Sequence, residues 1–138
     1  MSKISLKIND TVFTARLLEE KAPESVKAFK NLLPLKSKVK HVRWSGYAIW
    51  VNIDDIELPN LPRENHTVYP STGDILLYPG YKNEKEILIS CGPTCFKSPA
   101  GNLAGNHIAI RDASREELDE MEEKTLEVGA LDITIENI

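Results

Sequence analysis

The sequence predicts a mainly β protein, a closed eight-stranded antiparallel barrel capped by two helices, and three observations carry that expectation. About eight short runs either alternate apolar and polar residues or are rich in β-branched and aromatic ones, with turn chemistry between them. Only two segments show helical spacing or a helix-start signal. No heptad, sustained repeat or low-complexity stretch interrupts the 138 residues, and so many short strands in one domain leave exposed edges unless the sheet closes on itself.

The elements follow in order. Ile4, Leu6 and Ile8 alternate with polar residues, Asn9 and Asp10 supply a turn, and Phe13, Ala15 and Leu17 resume the alternation, which makes an opening hairpin. Pro23 suits a first helical turn, and Val26, Phe29, Leu32 and Leu33 fall on one face before Pro34, so a helix is expected from about 22 to 33. KVKHVRW and GYAIWVNI read as strands separated by a bend or bulge at Ser45 and Gly46. Residues 54 to 72, rich in proline, read as a long loop. GDILLYP and EILISC are two further strands joined by GYKNEK, and NHIAIR another, with residues 92 to 105 as a loop between them. In ASREELDEMEEKTL, Ser114 and Glu117 have the spacing of a capping box. Leu131, Ile133 and Ile135 alternate in a closing strand.

Length and composition fit a single domain, 1–138, able to bury a core without staples. The first residues alternate instead of forming an apolar run, and nothing approaches the roughly 18 apolar residues of a membrane span, so a cytoplasmic protein with no membrane partner is expected. Residues 1–43 carry ten Lys/Arg against four Asp/Glu, leaving the remainder acidic in a chain of net charge −4. The lysines lack interleaved aromatic platforms, so the basic stretch reads as a solvated or subunit-facing surface and no nucleic-acid partner is expected. The acidic helix near residues 115 to 124 has no calcium-loop signature.

CGPTC at residues 91 to 95 raises a redox or zinc reading. By period two, Glu86, Leu88 and Ser90 share one face of their strand while Ile87, Ile89 and Cys91 share the other, which turns Cys91 into the core as a small hydrophobe with a raised pKa. Four extended residues span about 13 Å against a disulfide limit of about 7 Å. Zinc would need ligands from His41, His66 and His107, which have no recognised spacing. Free thiols, no metal and no cofactor are therefore expected, with Cys95 lining a pocket.

Other side chains suggest a binding groove. Arg43 beside Trp44, with a facing carboxylate, can hold a carboxylate, amide or ureido group bidentately; the alternative is an Arg43–Glu86 salt bridge across an empty groove. His107, Ala109 and Arg111 alternate away from Ile108 and Ile110, which places His107 outside the core on the same surface as Glu86. Glu64, Asn65 and His66 precede Tyr69 and Pro70 on the long loop.

APESVKAF, GDILLYPGYKNEKEILI and LAGNHIAI resemble, in order, three stretches of the prolyl-isomerase cyclophilins: the first helix, the strand pair ending in a QFFI-like stretch, and the LDGKHVVF strand. RWSG, ENHTVYP, GDILLYPG and AGNLAGNH resemble recurring blocks of small bacterial cyclophilin-like proteins of unknown function. The resemblance implies a cyclophilin-like barrel and aligns Arg43 and His107 with the isomerases' arginine and histidine. It also shows departures: Leu88 replaces the pocket phenylalanine, Glu86 the glutamine before it, and the glutamine after the arginine falls near Trp50.

Together these readings predict a barrel binding a small polar metabolite, anionic or amide-bearing, in a surface groove. Arg43, Glu86 and His107 are the expected catalytic groups if turnover occurs, and Trp44, Tyr47, Glu64, His66, Tyr78, Leu88, Cys95 and Asn106 the expected ligand contacts. The alternatives are a prolyl isomerase with a degraded pocket, and a non-catalytic subunit docking on a partner enzyme or a second copy.

Overall fold

A computed structural model describes residues 2–81, 84–99 and 101–138; Lys82 and Asn83 of the expected GYKNEK connection and Ala100 of AGNLAGNH lie outside them. The opening hairpin is β1 (Lys3–Ile8) and β2 (Thr11–Leu17), turned at Asn9, whose φ of 51° is a left-handed conformation asparagine tolerates. Helix α1 (Pro23–Lys30) precedes β3 (Leu35–His41), β4 (Gly46–Asn52), β5 (His66–Thr67), β6 (Asp74–Tyr78) and β7 (Glu86–Thr94). Then come β8 (Lys97–Ser98), β9 (Gly101–Asn102), β10 (Gly105–Asp112), α2 (Arg115–Val128) and β11 (Leu131–Asn137).

The antiparallel order β2-β1-β11-β3-β4-β7-β6-β10 closes because β10 also pairs with β2. Eight strands thus form a closed barrel, and the short β5 adds to β10 outside it. Ile4, Leu6, Ile8, Phe13, Ala15, Ile49, Ile75, Ile87, Ile89 and Ile133 fill the interior, joined by Phe29 of α1 and Leu118 and Met121 of α2. Burying this set supplies most of the drive to fold, at about 25 cal/mol per Å² of apolar surface removed from water.

Several boundaries differ from the sequence expectation. Helix α1 stops at Lys30, and Leu32 and Leu33 pack on the core from tight turns whose N–H groups reach Phe29 and Lys30 carbonyls. The first residue after Pro34 already belongs to β3, which ends at His41, so Val42 to Ser45 form the bend before β4. There the expected bulge is present: the register shifts between Gly46 and Ala48, and Gly46 has a φ of 109° with Pro93 O only 2.5 Å from where a Cβ would sit. Within the stretch read as a loop, β7 instead extends through Thr94, and Lys97 and Ser98 of β8 pair with Asn102 and Gly101 of β9. Helix α2 has the capping box, Ser114 and Glu117 exchanging hydrogen bonds of 3.0 and 3.1 Å.

The main correction concerns β10. A bulge between His107 and Ala109 resets its alternation, so Ala109 pairs with Leu17 and Arg111 with Ala15, both interior positions. Arg111, expected outside, is therefore turned into the barrel and only 4 % exposed. No helix among the described residues is long and apolar enough to cross a membrane.

Candidate functional site

On the barrel's outer face, β4, β7, β6 and β10 present Trp50, Asn52, Glu86, Leu88, Leu76, Tyr78, Asp74 and His107, because directly paired residues of adjacent strands share a side. The centre of this face is closed. Leu76 and Leu88 are fully buried in a second apolar cluster with Val42, Ala48, Tyr78, Phe96 and Leu103. Gly105 permits that closure, since a Cβ there would stand 2.9 Å from the Leu76 Cβ and 3.0 Å from the Phe96 ring. Leu88, expected to line a ligand pocket, is thus buried in the same cluster as the chain's own Phe96.

The structure sorts the expected site residues into three separate groups. The first lies where Tyr78 of β6 pairs with Glu86 of β7. Tyr78 is buried, with Tyr81 and Phe96 each meeting its ring edge-on at centroid distances of 5.6 Å. Glu86 is 5 % exposed and its Oε2 is buried with no hydrogen-bond partner. Burial, reinforced by the nearby charges of Glu84 and Asp54, pushes its carboxyl up to about 8. At neutral pH Glu86 is thus mainly a carboxylic acid, able both to donate and to accept a hydrogen bond. Asn52 donates to Glu84 at 2.9 Å, and the Arg63 guanidinium lies 4.5 Å from the Tyr81 ring centroid.

The second group holds Glu64, His66, Asn106 and His107. Helix α1 has no side-chain cap of its own; Glu64 supplies one from the long loop, accepting from Ser25 N and Oγ at 2.7 Å and from Glu24 N at 3.2 Å. Burial works against its charge, yet these bonds hold the carboxyl below its usual range. Asn106 donates to Ser25 Oγ and Pro62 O and accepts from Glu64 N. Both side chains tie the loop to α1. His66 is exposed on β5 opposite Asn106. The His107 ring nitrogen Nε2 lies 3.2 Å from Asp74 Oδ1 and 3.1 Å from Ala109 O, a partly buried His–Asp pair of which the sequence reading saw only the histidine. Asp74 was hidden because the pair joins residues 33 positions apart across two strands.

Arg43, Trp44, Tyr47 and Cys95 form the third group, at the far end of β4. Arg43 is exposed and donates to Leu126 O at the C-terminal end of α2, where the last turn has no basic residue of its own. Arg43 precedes Gly46, whereas Glu86 pairs with Asn52, which puts roughly 20 Å of strand between them and removes the Arg43–Glu86 bridge. His107 pairs with Leu76 and Glu86 with Tyr78, so those two are separated by about 7 Å along the strands and about 10 Å across them. Arg43, Glu86 and His107 do not converge on one small ligand. Cys95 is partly exposed with its thiol 3.7 Å from Asn102 Oδ1, whereas Cys91 is buried and its thiol is pushed up to about 12 by burial, against the opposing charge of Arg111. Among the described residues no group of three or more His, Cys, Asp and Glu could hold a metal ion.

A family model described as "Protein of unknown function (DUF3830)" matches residues 4–137. No curated protein matches the chain. Solved structures similar to it include McbB in complex with tryptophan, at a TM-score of 0.75 and 14% identity over 96% of this chain and 44% of that one. This chain therefore spans less than half of McbB. The hypothetical protein AF2241 from Archaeoglobus fulgidus is similar at a TM-score of 0.66 and 21% identity, over 99% of this chain and 95% of that one. A Cryptosporidium parvum cyclophilin-type peptidyl-prolyl cis-trans isomerase, in the presence of the dipeptide Ala-Pro, gives a TM-score of 0.58 and 16% identity over 98% and 96%. At these identities the likeness establishes the fold, a cyclophilin-like barrel.

Proposed function

The chain belongs to the DUF3830 family, whose description assigns no function, and from that premise we propose that this barrel binds a small amide-bearing metabolite at Glu86. One observation carries the reading: a carboxyl with a buried, unpartnered oxygen beside Tyr78, kept in its acid form at neutral pH. A neutral carboxyl and a primary amide each offer one donor and one acceptor in the same plane and pair through two hydrogen bonds. An anionic ligand is disfavoured, because Glu84 and Asp54 already make the surroundings negative. Tyr81 and the partly buried Trp50 flank this cluster and suit the apolar part of a small molecule.

If turnover accompanies binding, a carboxyl poised near neutrality is suited to passing a proton to or from the bound amide. Arg43 and His107 are too far away to share that ligand and take no part in its recognition.

The test is calorimetric titration with primary amides and ureides at pH 6.5 and 9.5, on the wild type, Glu86→Gln and Glu86→Ala. Affinity of the wild type should fall at least tenfold at the higher pH, while Glu86→Gln binds equally at both and Glu86→Ala at neither. Amide affinity that is independent of pH in the wild type, or retained by Glu86→Ala, refutes the reading, as does the absence of binding by every amide.

A second reading, a subunit docked on another protein, has one observation in its favour. Trp44, Tyr47 and Tyr69 are 45%, 54% and 70% exposed, and their segments are joined by Cys95 N to Ser45 O and Phe96 N to Val68 O hydrogen bonds. Light scattering across a range of concentrations, with Trp44→Ser as control, separates self-association at this end from a monomer.

A further inference from the structure

The barrel end beneath α2 holds a charge the fold leaves unanswered. Arg111, turned inward by the β10 bulge, is 4 % exposed, and its Nε, Nη1 and Nη2 are all buried without a hydrogen-bond partner. Its guanidinium lies 4.0 Å from the Phe13 ring centroid, so the aromatic covers one face of the plane while the edges carrying five N–H donors face no oxygen acceptor, only the weakly accepting Cys91 thiol. The unanswered donors are costly, because a buried cation without a counter-charge loses its hydration and gains nothing in exchange. Even so, burial brings the guanidinium down only to about 10, and it remains charged at neutral pH.

The acidic side chains of α2 that act on this end do not fill the role. Glu117, whose charge reaches Arg111, is held in the capping box by Ser114. Glu122 points its Oε2 at His41 Nε2, 2.6 Å away. Asp119 is exposed, and the Cys91 thiol is neutral. His41 Nδ1 is a further buried atom without a partner on the same inward face of the barrel.

We propose that the α2-capped barrel end is an internal anion site in which the edge of Arg111 receives a planar monoanion, a carboxylate group, between Phe13, Cys91 and α2. A carboxylate matches the guanidinium fork with two parallel hydrogen bonds and cancels its charge, which a single water cannot do. Ala15, opposite Arg111 in register, and Cys91 keep the walls beside it small. The site is distinct from Glu86, which lies on the outer face, and it selects an anion where Glu86 disfavours one.

Formate is the probe. At constant ionic strength and pH, formate replaces chloride and the unfolding temperature is followed for wild type, Arg111→Lys and Arg111→Met. Formate at ten times its dissociation constant should raise the wild-type unfolding temperature by about 5 °C, Arg111→Lys by less, and Arg111→Met not at all. The arginine Nε–Hε resonances of the wild type give a second readout: the one that Arg111→Lys abolishes should shift with formate. That resonance remaining still, equal shifts in unfolding temperature for wild type and Arg111→Met, or no response to formate by either, overturns the proposal. Should Arg111→Met fail to fold, the resonance decides alone.

Discussion

Glu86→Gln should release the protein from a pH penalty that the wild type carries. The folded-state carboxyl titrates near 8 against an ordinary 4.5, raised by burial and then by Glu84 and Asp54. Between those values the native state keeps a proton that the unfolded chain has released, so native stability falls as pH rises. The contribution is fully present below about 4.5 and is lost by about 8. At about 1.4 kcal/mol for each tenfold change in proton activity, the interval corresponds to at most about 5 kcal/mol. For 138 residues, unfolding entropy near 2 cal/mol/K per residue turns this into a shift of at most about 18 °C. Glutamine has the same shape and never ionises. The difference in unfolding temperature between variant and wild type should therefore be small at pH 5, large at pH 7 and level off above about pH 8, while other groups titrate alike in both and cancel. Scanning calorimetry at pH 5, 7 and 9, with urea unfolding as a check on two-state behaviour, reads it directly. A difference that stays constant across this range would show that Glu86 ionises normally and would remove the basis of the amide-binding proposal.

The contacts of Glu64 and the burial of Cys91 each carry a further expected outcome. Glu64→Ala removes the side-chain cap that α1 has among the described residues and one anchor of the long loop, and should lower stability by about 1–2 kcal/mol while making residues 54 to 72 the first site of limited proteolysis. In the native protein a thiol reagent should label Cys95 alone, and both cysteines only after unfolding, because Cys91 is buried with its thiol held neutral; mass spectrometry counts the adducts.

The fold was legible because its signals are local. Ile4, Leu6 and Ile8 alternate wherever they are read, Ser114 and Glu117 are three residues apart, and Asn9 to Asp10 makes a turn without help from the rest of the chain. The inward aim of Cys91, and with it the case against redox use of CGPTC, came from the same period-two rule.

The site was less legible. Period two placed Glu86 and Leu88 on the outer face, yet it carries no information about Phe96, which arrives from another segment to join the cluster that buries Leu88 and to pack on Tyr78, the residue paired with Glu86. Glu64 looked like an exposed lid residue because its partners, Glu24 and Ser25, are about 40 positions away. Arg43 and Glu86 seemed able to meet because chain order says nothing of their positions at opposite ends of β4.

The sequence by itself determined the strands, the helices, the hairpin and the faces of regular strands, since each depends on neighbours within a few residues. Only the tertiary structure decided which faces are covered, which charges are paired and where one bulge reverses a strand. The β10 bulge falls where that strand, paired with β6, begins to pair with β2 as well, and this long-range pairing, invisible in GNHIAIRD, goes with the turn of Arg111 into the barrel.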